Sequence, residues 1–182
     1  MSVEARIKLA TCSLAGCFGC HMSLLDVDEG LLALIERIAF DRSPLTDRKH
    51  CAPQVDLGLV EGGVGNLENV EVLREFRRCC RCLVAVGSCA ITGGVPAVRN
   101  RYSLKECLDE AYVDAIGLYQ PGIPNDPELP LLLNTVRPIH ELVKVDHVLP
   151  GCPPPAEAFR ELICALFEGR EPALSCELRR FD

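Results

Sequence analysis

The sequence predicts an α/β protein built on a parallel, doubly wound sheet with helices on both faces. Short apolar runs that look like strands alternate with longer helical patterns along the chain. One of these runs, residues 83–86, is apolar at every position, which is typical of a strand buried on both faces. A length of 182 residues fits one such domain with a full core, so we expect residues 1–182 to form a single domain.

Four strands and four helices follow from the periodicity of the apolar residues. The strands are predicted over residues 6–11, 55–60, 83–86 and 143–149. The helices are predicted over residues 23–39, 66–81, 103–113 and 156–167. Asn66 is a predicted N-cap, and Ser103 with Glu106 forms a predicted capping box. At this chain length, a flavodoxin-like strand order is the natural candidate for the sheet.

One segment interrupts the alternation. Residues 119–138 contain prolines interleaved with an apolar run at 131–133, and we expect them to lack regular secondary structure. A connection of this length inside a compact domain is usually functional or lies against a partner. We therefore predict that this segment contacts another protein.

The charge and the apolar runs exclude two kinds of partner. A net charge of −7 argues against nucleic acid, because binding to phosphates requires clustered Lys and Arg. The densest basic stretch is interpreted as a solvated helix face or a helix C-terminus, and it consists of Arg74, Arg77, Arg78 and Arg81. No apolar run reaches the roughly 20 residues of a membrane span.

Twelve cysteines are the most unusual feature of the composition. No secretory signal precedes them, so the sequence predicts a cytoplasmic protein, in which disulfides are disfavoured. The cysteines are therefore expected to be metal ligands, redox centres or small buried apolar residues.

Four of these cysteines follow predicted strands. Cys17 and Cys20 follow the first strand, Cys89 follows residues 83–86 and Cys152 follows residues 143–149. Because the carboxyl ends of parallel strands meet at one edge of a sheet, we expect the four thiols to converge. Four thiolates suit either zinc or an iron–sulfur cluster. The alternatives are a reactive dithiol at Cys17 and Cys20, and packed thiols at the other two positions.

Other candidate residues have simpler interpretations. Cys12, at a strand end, is a packed thiol or a rival ligand. His21 is interpreted as a capping or packing residue, with metal binding or proton transfer as the alternative. Glu61 is either a solvated turn carboxylate or a carboxylate next to the cysteine site. The remaining cysteines are expected to pack in the core: Cys51, Cys79, Cys80, Cys82, Cys107, Cys164 and Cys176.

Four ordered motifs, spread over about residues 6–167, resemble the small subunit of [NiFe]-hydrogenases. They are Cys17-x-x-Cys20 with Ser23-Leu24-Leu25, Val60-Glu61-Gly62, Gly87-Ser88-Cys89-Ala90 with residues 93–97, and Leu149-Pro150-Gly151-Cys152-Pro153-Pro154. The 20 kDa-type subunit of complex I that carries the terminal cluster shares this fold. The sequence shows neither a second cysteine-rich domain nor a twin-arginine signal. In this it resembles the short cytosolic form of the small subunit, found in the bidirectional NAD-reducing enzyme. Phe18 departs from the family pattern, in which a small polar residue is common.

The resemblance implies one proximal [4Fe–4S] cluster held by Cys17, Cys20, Cys89 and Cys152. It also implies a large subunit that carries the Ni–Fe centre and splits hydrogen. Electrons would then pass to a ferredoxin-like iron–sulfur subunit and to a diaphorase module that binds FMN and NAD.

Three alternatives stay open. A flavodoxin-like FMN carrier is disfavoured because the first loop is not rich in Ser, Thr and Gly. A complex I-type quinone-module subunit is disfavoured because that branch has adjacent cysteines in its cluster loop, whereas two residues separate Cys17 from Cys20. A structural zinc protein is the third alternative.

Overall fold

The computed structural model describes residues 6–27 and 36–179, and its centre is a five-stranded parallel sheet. The strands of this sheet are β1 (Ile7–Ser13), β2 (Ile38–Phe40), β3 (Val55–Glu61), β5 (Cys80–Val86) and β7 (His147–Leu149). They lie in the order β2-β1-β3-β5-β7, and every neighbouring pair is parallel. This flavodoxin-like, doubly wound order confirms the predicted fold class.

Five α-helices that connect or flank these strands lie wholly within the described residues, and residues 36–37 are also helical. They are α1 (Gly19–Leu25), α2 (Leu67–Cys79), α3 (Gly87–Thr92), α4 (Leu104–Tyr112) and α5 (Ala156–Phe167). Both predicted caps are confirmed: Asn66 accepts a hydrogen bond from the Asn69 N–H over 2.7 Å, and Ser103 forms a capping box with Glu106. Across the described part of the chain, no helix is both long enough and apolar enough to cross a membrane.

Apolar side chains form one core on each face of the sheet. The core on the first face joins the sheet to α1 and α5, and its members include Leu9, Leu24, Leu149, Phe159 and Leu162. The core on the second face joins the sheet to α2, and its members include Val60, Leu73, Phe76, Leu83 and Ala85. Burial of each large side chain contributes about 1.5–3 kcal/mol. Helices therefore cover both faces, and the carboxyl edge of the sheet carries the loops.

The first predicted helix differs most from the structure. α1 begins earlier than expected, at Gly19, and ends at Leu25. Residues 28–35, which the prediction also placed in this helix, lie outside the described residues. Ile38–Phe40 form β2 instead of a helix end, because they pair in parallel with residues 7–9 of β1. A long-range pairing therefore overrides the local helical pattern.

The segment of residues 119–138 is only partly irregular. Its end forms β6 (Leu132–Arg137), which pairs antiparallel with β4 (Val64–Asn66) in a small second sheet. Asn100 supports β6, since its amide donates to the Val136 carbonyl and accepts from the Val136 N–H, each over 2.8 Å. The expectation that the whole segment lacks secondary structure is therefore wrong.

β7 is shorter than the strand predicted over residues 143–149. Just before it, the Asp146 carboxylate accepts a hydrogen bond from the Leu83 N–H over 2.9 Å and from Arg77 over 2.6 Å. The Asp146 N–H also donates to the Leu83 carbonyl over 2.9 Å, so the side chain adds to the backbone pairing with β5 at this point. Arg77 lies in the last turn of α2 and also donates to the Cys80 carbonyl over 2.7 Å, so the helix C-terminus interpretation is confirmed for this residue.

Candidate functional site

The four predicted cysteines all lie at the carboxyl edge of the sheet. Cys17 and Cys20 follow β1, and Cys20 is the second residue of α1. Cys89 lies in α3, which starts directly after β5, and Cys152 lies three residues after β7. Only β3 separates β1 from β5, and β7 lies next to β5, so the three loops meet at one edge.

The four thiols are close enough to influence one another electrostatically. Cys89 interacts in this way with Cys17 and Cys152, and Cys20 interacts with Cys17 and Cys89. Cys17 and Cys152 are exposed, whereas Cys20 and Cys89 are half-buried. The structure therefore brings the four residues together and leaves two of them open at the surface.

Burial disfavours the thiolate form of the two half-buried cysteines, Cys20 and Cys89. It raises the pKa of Cys20, and the neighbouring Glu61 carboxylate raises that pKa further. Burial also raises the pKa of Cys89, although a hydrogen bond from the Val95 N–H acts in the opposite direction. Two thiols that lack a positive partner fit a position where bound cations would stabilise the thiolate form.

Glycines leave room for these thiols. Gly87 has a φ of +79°, and a Cβ atom added to it would lie 2.5 Å from the Cys20 sulfur. Gly94 has a φ of +50°, and a Cβ atom there would lie 2.9 Å from the Cys89 sulfur. Any larger residue at either position would displace a thiol and strain the backbone.

Glu61, the last residue of β3, is a buried carboxylate next to Cys20. It is only 3% exposed, and it accepts hydrogen bonds from the Ser13 hydroxyl over 2.7 Å and the His21 N–H over 3.1 Å. Burial raises the pKa of this carboxyl, but hydrogen bonds from His21 and Ser13 outweigh burial, and the net pKa is lowered. The alternative of a solvated turn carboxylate is therefore wrong.

His21 connects Glu61 to two hydroxyl groups. Its Nδ1 lies 3.2 Å from Glu61, and its Nε2 lies 2.9 Å from the Thr11 hydroxyl, which is 2.8 Å from the Ser43 hydroxyl. The ring stacks on Phe18 with centroids 4.5 Å apart. The packing interpretation of His21 is confirmed. Sequence analysis missed Thr11 and Ser43, because single hydroxyl residues in a strand and a loop form no motif.

The other cysteines mostly lie in the protein interior, as predicted. Cys12 is 4% exposed and belongs to the core on the α2 side. Cys82 and Cys164 pack against the other core. Cys176 is exposed, so its predicted core position is wrong; it begins the last 3-10 helix, Cys176–Arg179, in which no residue is buried.

A protein-family model for the 20 kDa subunit of NADH ubiquinone oxidoreductase matches residues 17–166. This match covers most of the chain and includes all four cysteines at the strand ends. The chain belongs to this family.

Curated relatives are subunits of hydrogenases. The NAD-reducing hydrogenase HoxS subunit delta of Cupriavidus necator is 45% identical over 183 residues, which cover 98% of this chain and 87% of that one. The sulfhydrogenase 2 subunit delta of Pyrococcus furiosus is 30% identical over 183 residues, which cover 97% of this chain and 71% of that one. Within the family, the chain is therefore a small subunit of the hydrogenase type, that is, a subunit of an oxidoreductase.

Solved structures agree with this assignment. A chain of an NAD+-reducing [NiFe]-hydrogenase in the H2-reduced state is 54% identical and superposes with a TM-score of 0.95, covering 98% of this chain and 100% of that one. A chain of the [NiFeSe]-hydrogenase of Dm. baculatum is 17% identical, with a TM-score of 0.61 and coverage of 97% and 70%, and it shares the fold alone.

Proposed function

We propose that this chain is the electron-transfer small subunit of a cytoplasmic NAD-reducing [NiFe]-hydrogenase, and that residues 1–182 form one domain with a single [4Fe–4S] cluster. The chain passes electrons from hydrogen oxidation on a large subunit toward a ferredoxin-like subunit and a flavin- and NAD-binding diaphorase module. One observation carries this proposal: four thiols from three strand-end loops converge at one edge of the sheet.

The ligands of the cluster would be Cys17, Cys20, Cys89 and Cys152. Four thiolates are the donor set of a [4Fe–4S] cluster, which supplies one-electron transfer when bound. Within residues 6–27 and 36–179, no three His, Cys, Asp or Glu side chains are arranged to hold a single metal ion.

The residues around the thiols set the environment of the site. Burial of Cys20 and Cys89 excludes water from the inner half, and Gly87 and Gly94 allow the backbone to approach closely. The Glu61 carboxylate, next to Cys20, opposes the addition of an electron and so lowers the reduction potential of the site.

An exposed apolar surface next to the site is our candidate contact with the large subunit. We define it by Val95 and Val98, which are 73% and 53% exposed, and by Leu131 and Leu132, which are 72% and 47% exposed. The 3-10 helix Val95–Arg101 packs on β6, and Arg99 donates to the Leu133 carbonyl over 2.7 Å. Gly94, which approaches Cys89, directly precedes this helix. Contiguous apolar surface of this kind is typical of protein contacts.

Iron and acid-labile sulfide analysis tests the proposal on the complex purified without oxygen. We expect iron and sulfide in the amounts that all clusters of the complex require, and an EPR signal of a reduced [4Fe–4S] cluster that disappears when Cys89 is changed to Ser. A Cys89→Ser complex with an unchanged EPR spectrum would contradict the proposal. Flavin absorption bands from the isolated chain, without iron, would instead favour an FMN carrier.

A further inference from the structure

A chain of buried polar side chains runs from the loop after β2 to the Cys17-x-x-Cys20 loop. The Ser43 hydroxyl lies 2.8 Å from the Thr11 hydroxyl, which lies 2.9 Å from Nε2 of His21. Nδ1 of His21 lies 3.2 Å from a carboxylate oxygen of Glu61. All four side chains are at most 4% exposed. Electron transfer through four thiolates makes no direct use of His21, Thr11 or Ser43, so their arrangement needs another explanation.

Phe18, in the middle of the Cys17-x-x-Cys20 loop, has a strained backbone. Its φ of +67° and ψ of +5° lie in the left-handed region, which is an outlier for a bulky residue. Phe18 is only half-buried, so burial in the core does not hold it in this conformation. Its ring stacks on His21, with centroids 4.5 Å apart and planes inclined by 5°. The stack on His21 is therefore the contact that can stabilise the strained loop.

We propose that His21 is a positioning residue of the four-cysteine site. Its ring, oriented by Glu61 and Thr11, holds Phe18 in the left-handed conformation and thereby fixes the two cysteines of the loop. This role deepens the proposed function and rests on it, because the loop carries two of the proposed cluster ligands. Residues behind the ligands of a metal site commonly orient those ligands and tune the metal.

Partners at both ring nitrogens keep the His21 ring from turning. The ionised Glu61 carboxylate can only accept, so Nδ1 of His21 carries the proton of their hydrogen bond. Nε2 is bound to the Thr11 hydroxyl on the other side of the ring. A ring with a partner at each nitrogen has one favoured orientation, and Phe18 stacks on a surface of fixed direction.

Backbone contacts fix the far end of the polar chain. Thr11 belongs to β1, and its N–H donates to the Arg42 carbonyl over 2.8 Å. The Ser43 hydroxyl oxygen accepts from the Leu45 N–H over 3.2 Å. The two hydroxyl groups are thus part of a contact between a strand and its neighbouring loop, and His21 ties the cysteine loop to that contact.

The conformation of Phe18 determines where the two cysteines lie. The Phe18 carbonyl accepts from the Met22 N–H over 3.2 Å at the start of α1, the helix that carries Cys20. The Cys17 sulfur lies 3.2 Å from the position of a Cβ atom added to Gly19, so the Cys17 side chain lies over the start of the same helix. A rotation of the backbone at Phe18 would therefore move Cys17 relative to Cys20.

Hydrogen exchange of the full chain, prepared without iron, tests this role whether or not a cluster binds to the loop. The Met22 amide reports on Phe18, because it donates to the Phe18 carbonyl. In Thr11→Val, which keeps the shape but removes the hydroxyl, we expect this amide to exchange about tenfold faster. Thr11→Ser keeps the hydroxyl and should restore the wild-type rate, and exposed Thr135→Val is the matched control. An unchanged Met22 rate in Thr11→Val overturns the proposal.

Two substitutions of Phe18 test the stack at a position that is not in the core. Phe18→Leu keeps the backbone strain but loses the stacked ring, so the Met22 amide should exchange faster than in the wild type. Phe18→Gly adopts a positive φ without strain and should exchange more slowly than Phe18→Leu. A Met22 rate in Phe18→Leu that equals the wild-type rate overturns the proposal, and this outcome does not depend on a buried substitution.

A double variant tests whether Thr11 acts through Phe18. In the Phe18→Gly background, Thr11→Val should have little further effect on the Met22 rate, because no ring remains for His21 to hold. Residues that act through one another are not additive, whereas independent residues are. The same effect of Thr11→Val in both backgrounds would mean that Thr11 contributes only to stability, and would overturn the role of His21.

The EPR signal that Cys89→Ser removes from the complex separates positioning from stability. We expect Thr11→Val to shift the g values and the midpoint potential of this signal at wild-type iron content, and Thr11→Ser to restore them. Less iron with wild-type g values would show a purely structural role and overturn the proposal. A wild-type complex without this signal would reject the proposed function alone, and the Met22 exchange rates would then decide the role of His21.

Discussion

Ser88 donates both its backbone N–H and its hydroxyl to the Gly151 carbonyl oxygen, over 2.8 and 3.1 Å. These bonds join the start of α3 to the loop after β7, although 63 residues separate the two positions. Cys89 follows Ser88 and Cys152 follows Gly151, so the bonds fix one thiol relative to the other. The site is thus held together by protein contacts that do not involve the thiols.

We expect Gly87→Ala to displace the Cys20 thiol and to strain the backbone next to the four-cysteine site. The new methyl group would lie 2.5 Å from the Cys20 sulfur, and the residue would keep a φ of +79° that disfavours alanine. We expect a loss of roughly 1–3 kcal/mol in the free energy of unfolding, measured by denaturant titration, and a lower iron content. Gly122→Ala is the matched control, since nothing lies within 4 Å of its added Cβ atom. Equal iron contents in the two variants would contradict this role of Gly87.

Cys152→Ser is expected to abolish hydrogen-driven reduction of NAD by the complex, because the variant lacks one of the four proposed cluster ligands. Iron analysis of the same sample should show the loss of iron bound to this chain. Cys176→Ser removes another exposed thiol outside the site and should retain both properties. Full activity in Cys152→Ser would reject Cys152 as a ligand.

Glu61→Gln is expected to raise the reduction potential of the site. The substitution removes the negative charge next to Cys20 and keeps one of the two oxygens, which accept separately from the Ser13 hydroxyl and the His21 N–H. With the remaining oxygen toward the His21 N–H, the Ser13 hydroxyl can accept from the new amide group. A redox titration followed by EPR measures the midpoint potential, with the exposed Glu128→Gln as control. An unchanged or lower potential in Glu61→Gln would show that its charge does not act on the cluster.

Asp146→Asn should reduce the dependence of stability on pH. Burial raises the pKa of Asp146, but bonds from Arg77 and the Leu83 N–H outweigh burial, so the pKa in the folded state is lowered. The stabilisation is therefore complete above the unfolded pKa of about 3.9 and is lost as the pH falls through the lower folded pKa. At neutral pH we expect Asp146→Asn to be less stable by roughly 1–3 kcal/mol.

Urea titrations at neutral and acidic pH measure this difference. The gap between the wild type and Asp146→Asn should narrow toward low pH, whereas exposed Asp126→Asn should follow the wild type throughout. A gap that widens in acid would mean that the sign assigned to the Asp146 shift is wrong.

Leu131→Asp is expected to weaken binding to the large subunit, because a charge is placed in the exposed apolar surface. Co-purification and analytical ultracentrifugation measure the association. The control is Leu45→Asp, which changes an exposed leucine in the loop after β2. If both variants bind equally well, the surface around Leu131 is not the contact.

The parts of the structure that sequence analysis predicted depend on local patterns or on general rules of parallel sheets. Caps at Asn66 and Ser103 follow from residues three positions apart. The meeting of Cys89 and Cys152 follows from their places after strands that lie side by side. Neither inference needs knowledge of particular side-chain contacts.

The parts that it missed depend on contacts between distant segments. Ile38–Phe40 form a strand because β1 offers a free edge, and no feature of those three residues shows this. Glu61 can be buried because His21 and Ser13 donate hydrogen bonds to its carboxylate oxygens. The sequence around Glu61 does not show these contacts, because it resembles a simple turn. The Cys51 N–H reaches the Glu75 carboxylate only because the loop before β3 folds back over α2.

The place of β7 at the edge of the sheet also determines when the site can be completed. Cys17 and Cys20 leave the ribosome long before Cys152, which follows the strand that joins the sheet last in chain order. A nascent chain therefore presents two or three of the thiols while the fourth position is still missing. The four-cysteine site is therefore complete only once β7 has docked beside β5, so that completion of the site coincides with completion of the sheet.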